Sequence, residues 1–153
     1  MSEESDSFNE KLKAVIDEMT PRCLDDIIRE NRELAELRMA TDADIQGVPA
    51  EIEEARMVTD AVENWRLITL YVPPLELAHV LLLGKSEKKK GPVLSSKILE
   101  IDLNKGLVGT ESGSLYKLGK PGAGEPPTEH LVQVCATLHF WGSGEILGVP
   151  TFI

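Results

Sequence analysis

The chain has 153 residues, a formal net charge of −10 at pH 7, and 42% hydrophobic against 27% charged residues. That balance implies a folded soluble protein of one domain, or one small domain with a helical arm. The longest apolar run, 77–83, is interrupted by His79 and falls far short of the roughly 20 residues that a membrane-spanning helix needs.

Taken in chain order, residues 1–7 are polar and are expected to be frayed. Phe8, Leu12, Val15, Ile16 and Met19 recur at helical spacing behind Ser7, a plausible N-cap. Thr20-Pro21 interrupts the run and restarts it, since proline suits the first turn of a helix. The second predicted helix carries Leu24, Ile27, Ile28, Leu34 and Leu37, with Arg29/Glu33 and Arg32/Glu36 as exposed pairs, and fades near Met39-Ala40. TDADIQGVPAE has the composition of a loop. Beyond Pro49, Ile52, Ala55, Val58, Val62 and Trp65 predict a third helix with Glu51, Glu53 and Glu54 in its first turn.

Val72-Pro73-Pro74 closes this helical unit, and LELAHVLLLG is expected to form a short helix between Pro74 and Gly84. KSEKKKGP is a solvated loop. KILEIDL, LVGTE and SLYKL are short β-type runs separated by the turn sequences Asn104-Lys105-Gly106 and Ser112-Gly113, which predicts a three-stranded antiparallel meander. Alternation places Leu99, Ile101 and Leu103 on its apolar face, and Ile98, Glu100 and Asp102 on the other. After the Gly/Pro linker KPGAGEPP, a helix should run from about Pro127 to Trp141 and cover the meander through Leu131, Val134, Cys135 and Leu138. The tail EILGVPTFI should pack back as an edge strand or extended segment.

The expected fold is therefore α+β: an N-terminal antiparallel helical unit, an antiparallel three-stranded meander and a C-terminal helix packed on it. The expected division is a disordered N-terminus over 1–7, an acidic helical region over 8–70 and a compact module over 71–153. Charge supports two units. Residues 1–66 hold 18 acidic and 8 basic side chains, whereas 67–153 hold 8 of each, and every arginine lies in the first part.

No motif of known chemistry occurs in the chain. The stretch EHLVQVCATLHFWGSGE comes nearest, with Cys135 and His139 one helical turn apart. A cysteine nucleophile needs a base and an oxyanion site, yet a mid-helix sulfur has neighbouring amides already bonded within the helix. A metal site would need His79 and Cys23, or an acid, to complete four ligands, at no recognised spacing. Cys135 is better read as a small buried hydrophobe. The glycines around Ser112-Gly113-Ser114 sit between β runs, where turn chemistry explains them better than a phosphate cradle does. PGAGE precedes a helix but lacks a P-loop lysine and hydroxyl. Glu100, Asp102 and Glu111 have no clustered histidine for hydrolysis. Lys88-Lys89-Lys90 lack interleaved aromatics, and a net charge of −10 disfavours nucleic acid.

These features imply a small, acidic, non-enzymatic interaction protein. It would bind and regulate, or inhibit, a larger protein with a basic or nucleic-acid-handling surface, in the manner of small phage or mobile-element inhibitors. Its expected partner-binding residues are Asp25, Asp26, Glu30, Glu33, Glu36, Glu51, Glu54 and Glu63, arranged as ridges on the helices, where they would steer a basic partner. Two alternatives stand beside this. One is a self-associating scaffold using a short heptad-like seam of Leu24, Ile27, Asn31, Leu34 and Arg38. The other is an enzyme or metal protein built on Cys135/His139. No cofactor, metal, membrane or direct nucleic-acid partner is expected. The acidic opening SEESDSFNE and two widely spaced cysteines imply a cytoplasmic setting.

Overall fold

The computed structural model describes residues 9–14, 20–29, 31–53, 55–145 and 147–150. Among them the architecture is a seven-stranded mixed sheet with short helices around it, which overturns the expected helical unit followed by a separate meander. Residues 9–14 are helical, with Leu12 about half exposed, while Phe8, Val15, Ile16 and Met19 of the first predicted helix lie outside the described residues. The second predicted helix contracts to a single turn, α1 (Leu24–Ile27), followed by the strand β1 (Glu36–Met39). The segment expected to be a loop holds a helix, α2 (Asp42–Gln46). Thr41 Oγ accepts the Asp44 N–H while the Asp44 carboxylate accepts the Thr41 N–H, a reciprocal capping box.

The third predicted helix is replaced by an extended segment and then by β2 (Asp60–Val72), the centre of the sheet. The apparent helical period of Ala55, Val58, Val62 and Trp65 was misleading. Residues 66–70, RLITL, are all buried, as suits a strand covered on both faces, and Val62, Trp65, Ile68, Thr69 and Val72 are β-branched or aromatic. A 3₁₀ turn (Pro73–Leu75) leads into β3 (Leu77–Ser86), so LELAHVLLLG is mostly strand, where a short helix was expected. Val80 to Leu83 is continuously apolar because both faces of the strand are buried. Leu81 and Leu83 enter one core, Val80 and Leu82 the other. Next come β4 (Gly91–Leu94), β5 (Ile98–Asp102), β6 (Leu107–Thr110), β7 (Leu115–Leu118) and helix α3 (Thr128–Phe140).

The strand order is β4-β3-β2-β7-β6-β5. β3 covers one edge of β2 from Val62 to Val72. The opposite edge is shared: β7 pairs in parallel with Asp60–Val62, and β1 pairs antiparallel with Ile68–Tyr71. Between them runs the Gly/Pro linker, whose Gly119 and Gly122 amides donate to the carbonyls of Val62 and Trp65, both at 2.9 Å. A boundary at residue 70/71 falls inside β2, whose partner strands come from both sides of it in sequence.

A bulge in β2 sets which side chains enter which core. Glu63 pairs with Lys85 and Arg66 with Leu83, so one extra residue is inserted, and Asn64 adopts φ 50°. The insertion switches the alternation: Val62 shares a core with Leu67, while Ile68, Leu70 and Val72 face the other side. A second irregularity between Ile98 and Glu100 corrects the expected face of β5. Ile98 and Ile101 are buried together, whereas Leu99 and Leu103 are 39% and 50% exposed.

The first core joins α1, β1 and one face of β2–β4 to Leu131, Val134, Cys135 and Leu138 of α3. The helical stripe expected at the C-terminus is present, but it covers β3 and β4 instead of the meander. Leu147 and Val149 of the tail also join this core, and residues 151–153 lie outside the described residues. The second core lies between the other face of β2–β3–β4 and the meander β5–β6–β7. Each fully buried Leu or Ile contributes about 1.5–3 kcal/mol, so the doubly covered centre of the sheet dominates stability.

Arg66, 4% exposed, anchors the linker to the bulge. Its Nε donates to Gly124 O at 2.9 Å, and its Nη2 donates to Ala123 O at 2.8 Å and Glu125 O at 3.3 Å. Trp65 Nε1 donates to Gly119 O at 3.0 Å, and the Glu63 carboxylate accepts the Lys120 N–H at 2.8 Å. The bulge is thus the fastening point between the sheet and the chain that leads to α3.

Candidate partner-binding surface

Among the described residues, the long helices expected to carry the acidic ridges are replaced by the single turn α1 and by strands. Asp25 and Asp26 flank Arg32, at 2.6 and 3.6 Å, and Asp26 also accepts the Arg22 N–H. The predicted Arg32/Glu36 pair is replaced by this contact, and Glu36 lies 3.5 Å from Arg38. Glu63 is spent on the linker. Glu33 is exposed, and Glu30 and Glu54 lie outside the described residues. The heptad-like seam is dismantled as well: Leu24 and Ile27 are core residues, Leu34 is 49% exposed and Arg38 sits on a strand.

Of the expected set, Glu63 lines a hollow of about 430 Å³ with Lys85, Ser86, Glu87 and Lys90, and Glu51 lines a larger cleft beside β5. Residues 51–53 and Arg56 lie beside β5, held by the Ile101 N–H donating to Pro49 O at 2.8 Å and by Arg56 at 3.3 Å from the Glu100 carboxylate. Gly109 makes room for that ion pair, since a Cβ there would meet the Glu100 carboxylate and lie 2.8 Å from Arg56 Nη1. Between residues 51–53, β5 and the β6–β7 turn lies a cleft of about 690 Å³. Glu51, Glu53, Glu100 and Glu111 line it together with Arg56, Thr110 and the apolar Ile52 and Leu99. Four glutamates and one arginine thus line a single concavity. Glu51, Glu53 and Glu111 make no ion pair among the described residues. Such a concavity focuses negative potential and draws in cations.

Of the carboxylates weighed for hydrolysis, Glu100 and Glu111 do meet in this cleft. Asp102 instead accepts the Lys105 N–H at 3.0 Å, within the β5–β6 turn. Glu53, Glu100, Arg56 and Glu111 were not legible as one site, because they come from three places in the chain that only strand pairing brings together.

A second cleft, of about 450 Å³, lies between α2, β3 and the start of β5, with Asp44 and Lys97 at its rim and Val48, Val80 and Ile98 within. Asp44 is held well below the usual carboxylate range, chiefly by Arg38 at 2.6 Å, with the Thr41 backbone and the hydroxyls of Thr69 and Thr41 adding to the effect against the penalty of burial. Because this carboxylate is fully engaged in holding α2 against β1 and β2, its role is structural.

The predicted solvated lysine loop is a braced hairpin joining β3 and β4. The Ser86 hydroxyl donates to the Asp60 carboxylate, and both residues are buried. Asp60 also accepts the N–H groups of Ala61 at 2.8 Å and Lys88 at 3.1 Å, and Ser86 Oγ accepts that of Lys89 at 3.0 Å. Burial alone would raise the Asp60 pKa; the bonds from Ser86, Lys88 and Ala61 outweigh it and keep the carboxylate ionised. Lys88, Lys89 and Lys90 are exposed at the tip, and none forms an ion pair among the described residues.

Cys135 is fully buried, and desolvation pushes its thiol up to about 12. His139 Nε2 lies 2.8 Å from Val149 O and its ring packs on Gly144, so the imidazole fastens the tail to α3. Among the described residues no three His, Cys, Asp or Glu side chains are placed to hold a metal ion, and no helix is long and apolar enough to cross a membrane. Ser112–Ser114 form the β6–β7 turn, with Gly113 at φ 91°.

Compared with known proteins, the chain matches no family model, no curated protein and no solved structure.

Proposed function

We propose that the protein is a non-catalytic interaction module that receives a basic segment of a larger protein in its acidic cleft and thereby regulates or inhibits that partner. The observation that carries this reading is one cleft lined by Glu51, Glu53, Glu100 and Glu111, with Arg56 the one cationic residue in its described lining. The uneven charge of the chain supports it, because the whole excess of −10 lies in the first 66 residues, which supply segment 51–56. The surface differs from the helical ridges expected at first, but the chemistry of the partner is the same: lysines and arginines drawn in by long-range attraction and held by charge-assisted hydrogen bonds. Ile52 and Leu99 add an apolar floor for the stems of such side chains. A cytoplasmic setting fits two free cysteines, Cys23 and Cys135. The alternative of an enzyme or metal protein centred on Cys135 and His139 draws no support from a buried thiol and an imidazole engaged with the tail.

The test is titration of a fluorescein-labelled lysine- and arginine-rich peptide, followed by anisotropy. Glu51→Lys with Glu53→Lys should weaken binding by at least about tenfold, equivalent to about 1.4 kcal/mol. Glu33→Lys with Glu145→Lys changes the net charge equally at exposed positions outside the cleft and should weaken binding far less. Equal effects of the two pairs would mean that net charge, not the cleft, attracts the peptide.

A further inference from the structure

The acidic cleft and the lysine hairpin are joined by one exposed stretch of chain. Residues 51–53 and Arg56 line the cleft, while Val58, Thr59, Asp60 and Ala61 lie against Glu87 and Lys88 of the hairpin, around a hollow of about 330 Å³. Between the two, Met57 is 87% exposed and Val58 46% exposed. Along this stretch the surface therefore passes from an anionic concavity, through two exposed apolar residues, to a cationic projection. The projection is rigid where it leaves the sheet, because Asp60 and Ser86 bind its backbone amides at Lys88 and Lys89. A long lysine tip so braced loses less freedom on docking than a flexible loop would.

We infer that this face pairs with the same face of a second copy of the chain. Met57 and Val58 would lie near a two-fold axis, and the hairpin of each copy would enter the cleft of the other. A two-fold contact requires a self-complementary surface, and a surface carrying its own opposite charges on either side of an apolar centre satisfies that requirement. The inference rests on the cleft being a receptor for cationic segments and names the segment that occupies it in the absence of another partner. A basic protein partner would then have to displace the hairpin, so partner binding and self-association exclude each other. That competition would make availability of the cleft depend on protein concentration.

The experiment is sedimentation velocity on the full chain, with charge-swapped variants. At about 10–100 µM and low salt, the range of a small polar interface, the parent should approach twice its mass of 16.8 kDa. In about 1 M salt, where the Debye length falls to about 3 Å, it should return to a monomer. Lys89→Glu with Lys90→Glu should be monomeric, and so should Glu51→Lys with Glu53→Lys. An equimolar mixture of the two variants should form a heterodimer, since each reversed hairpin then meets a reversed cleft. A parent that stays monomeric, a dimer that survives both reversals, or a mixture that does not reassociate overturns the pairing. The receptor reading is tested separately on the Lys89→Glu/Lys90→Glu variant, whose cleft is intact. If that variant binds the basic peptide while the parent fails to dimerise, only the pairing is lost. If it does not bind, both fall.

Discussion

Replacing Arg66 by methionine should loosen the junction between the sheet and α3 without emptying a core. The side chain is almost fully buried, and its two shortest hydrogen bonds run to Ala123 O at 2.8 Å and Gly124 O at 2.9 Å. The contacts to Glu125 O at 3.3 Å and Asn64 O at 3.4 Å are long enough to add little. A hydrogen bond from a charged donor contributes roughly 1.5–3 kcal/mol, so the two short ones amount to about 3–6 kcal/mol. Residues 123–125 are exposed, so their carbonyls regain water in the variant, and methionine fills part of the space. These gains offset about half the loss and leave a destabilisation of about 2–3 kcal/mol. Urea unfolding monitored by tryptophan fluorescence measures it, with Trp65 at the junction itself. Hydrogen exchange should also accelerate at the amides of Gly119 and Gly122, which bond to β2 beside Arg66. Arg66→Lys should fall between parent and Arg66→Met, because a single ammonium cannot span three carbonyls as a guanidinium fork does. An Arg66→Met protein within about 0.5 kcal/mol of the parent, with unchanged exchange at those amides, would show that the linker is held by something else.

The bulge makes its own demand on β3. Gly84→Ala would press a Cβ into Val62 and place it 3.0 Å from Glu63 O and 3.1 Å from Trp65 Cα, costing about 1–3 kcal/mol, whereas Gly91→Ala, with only Lys89 O nearby at 4.0 Å, should be close to neutral in the same denaturation assay. Acid sensitivity between pH 7 and 5 should trace to His130, buried with its Nδ1 unpaired among the described residues and disfavoured as a cation by burial first, with Glu129 opposing and Arg66 adding to the effect. Its folded pKa lies below the unfolded value of about 6.5, so stability is full above that pH and declines as the pH falls below it, where only the unfolded chain takes up the proton. His130→Phe should flatten part of the decline between pH 7 and 5, leaving the share due to His79, which is shifted the same way chiefly by burial; an unchanged slope would refute the assignment. Under native conditions iodoacetamide should label Cys23 and spare Cys135 until the protein unfolds, as read by mass spectrometry, and early labelling of Cys135 would mean that the first core opens.

By itself the sequence determined the features that depend on neighbours along the chain. The limits of α3 were legible to within a residue, because Pro127 and Gly142 bracket a stripe of Leu131, Val134, Cys135 and Leu138 that any helix must bury on one side. The three meander strands were legible from their glycine turns, and the front-loaded negative charge from composition. The Thr41/Asp44 capping box also depends only on neighbours along the chain. Tertiary structure alone decided the rest. Val62 and Trp65 repeat at an interval that suits a helix, yet β2 is a strand because β3, β7 and β1 supply its hydrogen bonds from distant parts of the chain. The same pairing draws Glu51, Glu53, Glu100 and Glu111 into one cleft, while Asp25, Asp26 and Glu36 meet nearby arginines and Glu63 binds the distant Lys120 amide. A carboxylate's place in the chain fixes its charge, but only the register of the strands beside it fixes whether that charge faces a partner or is already bound.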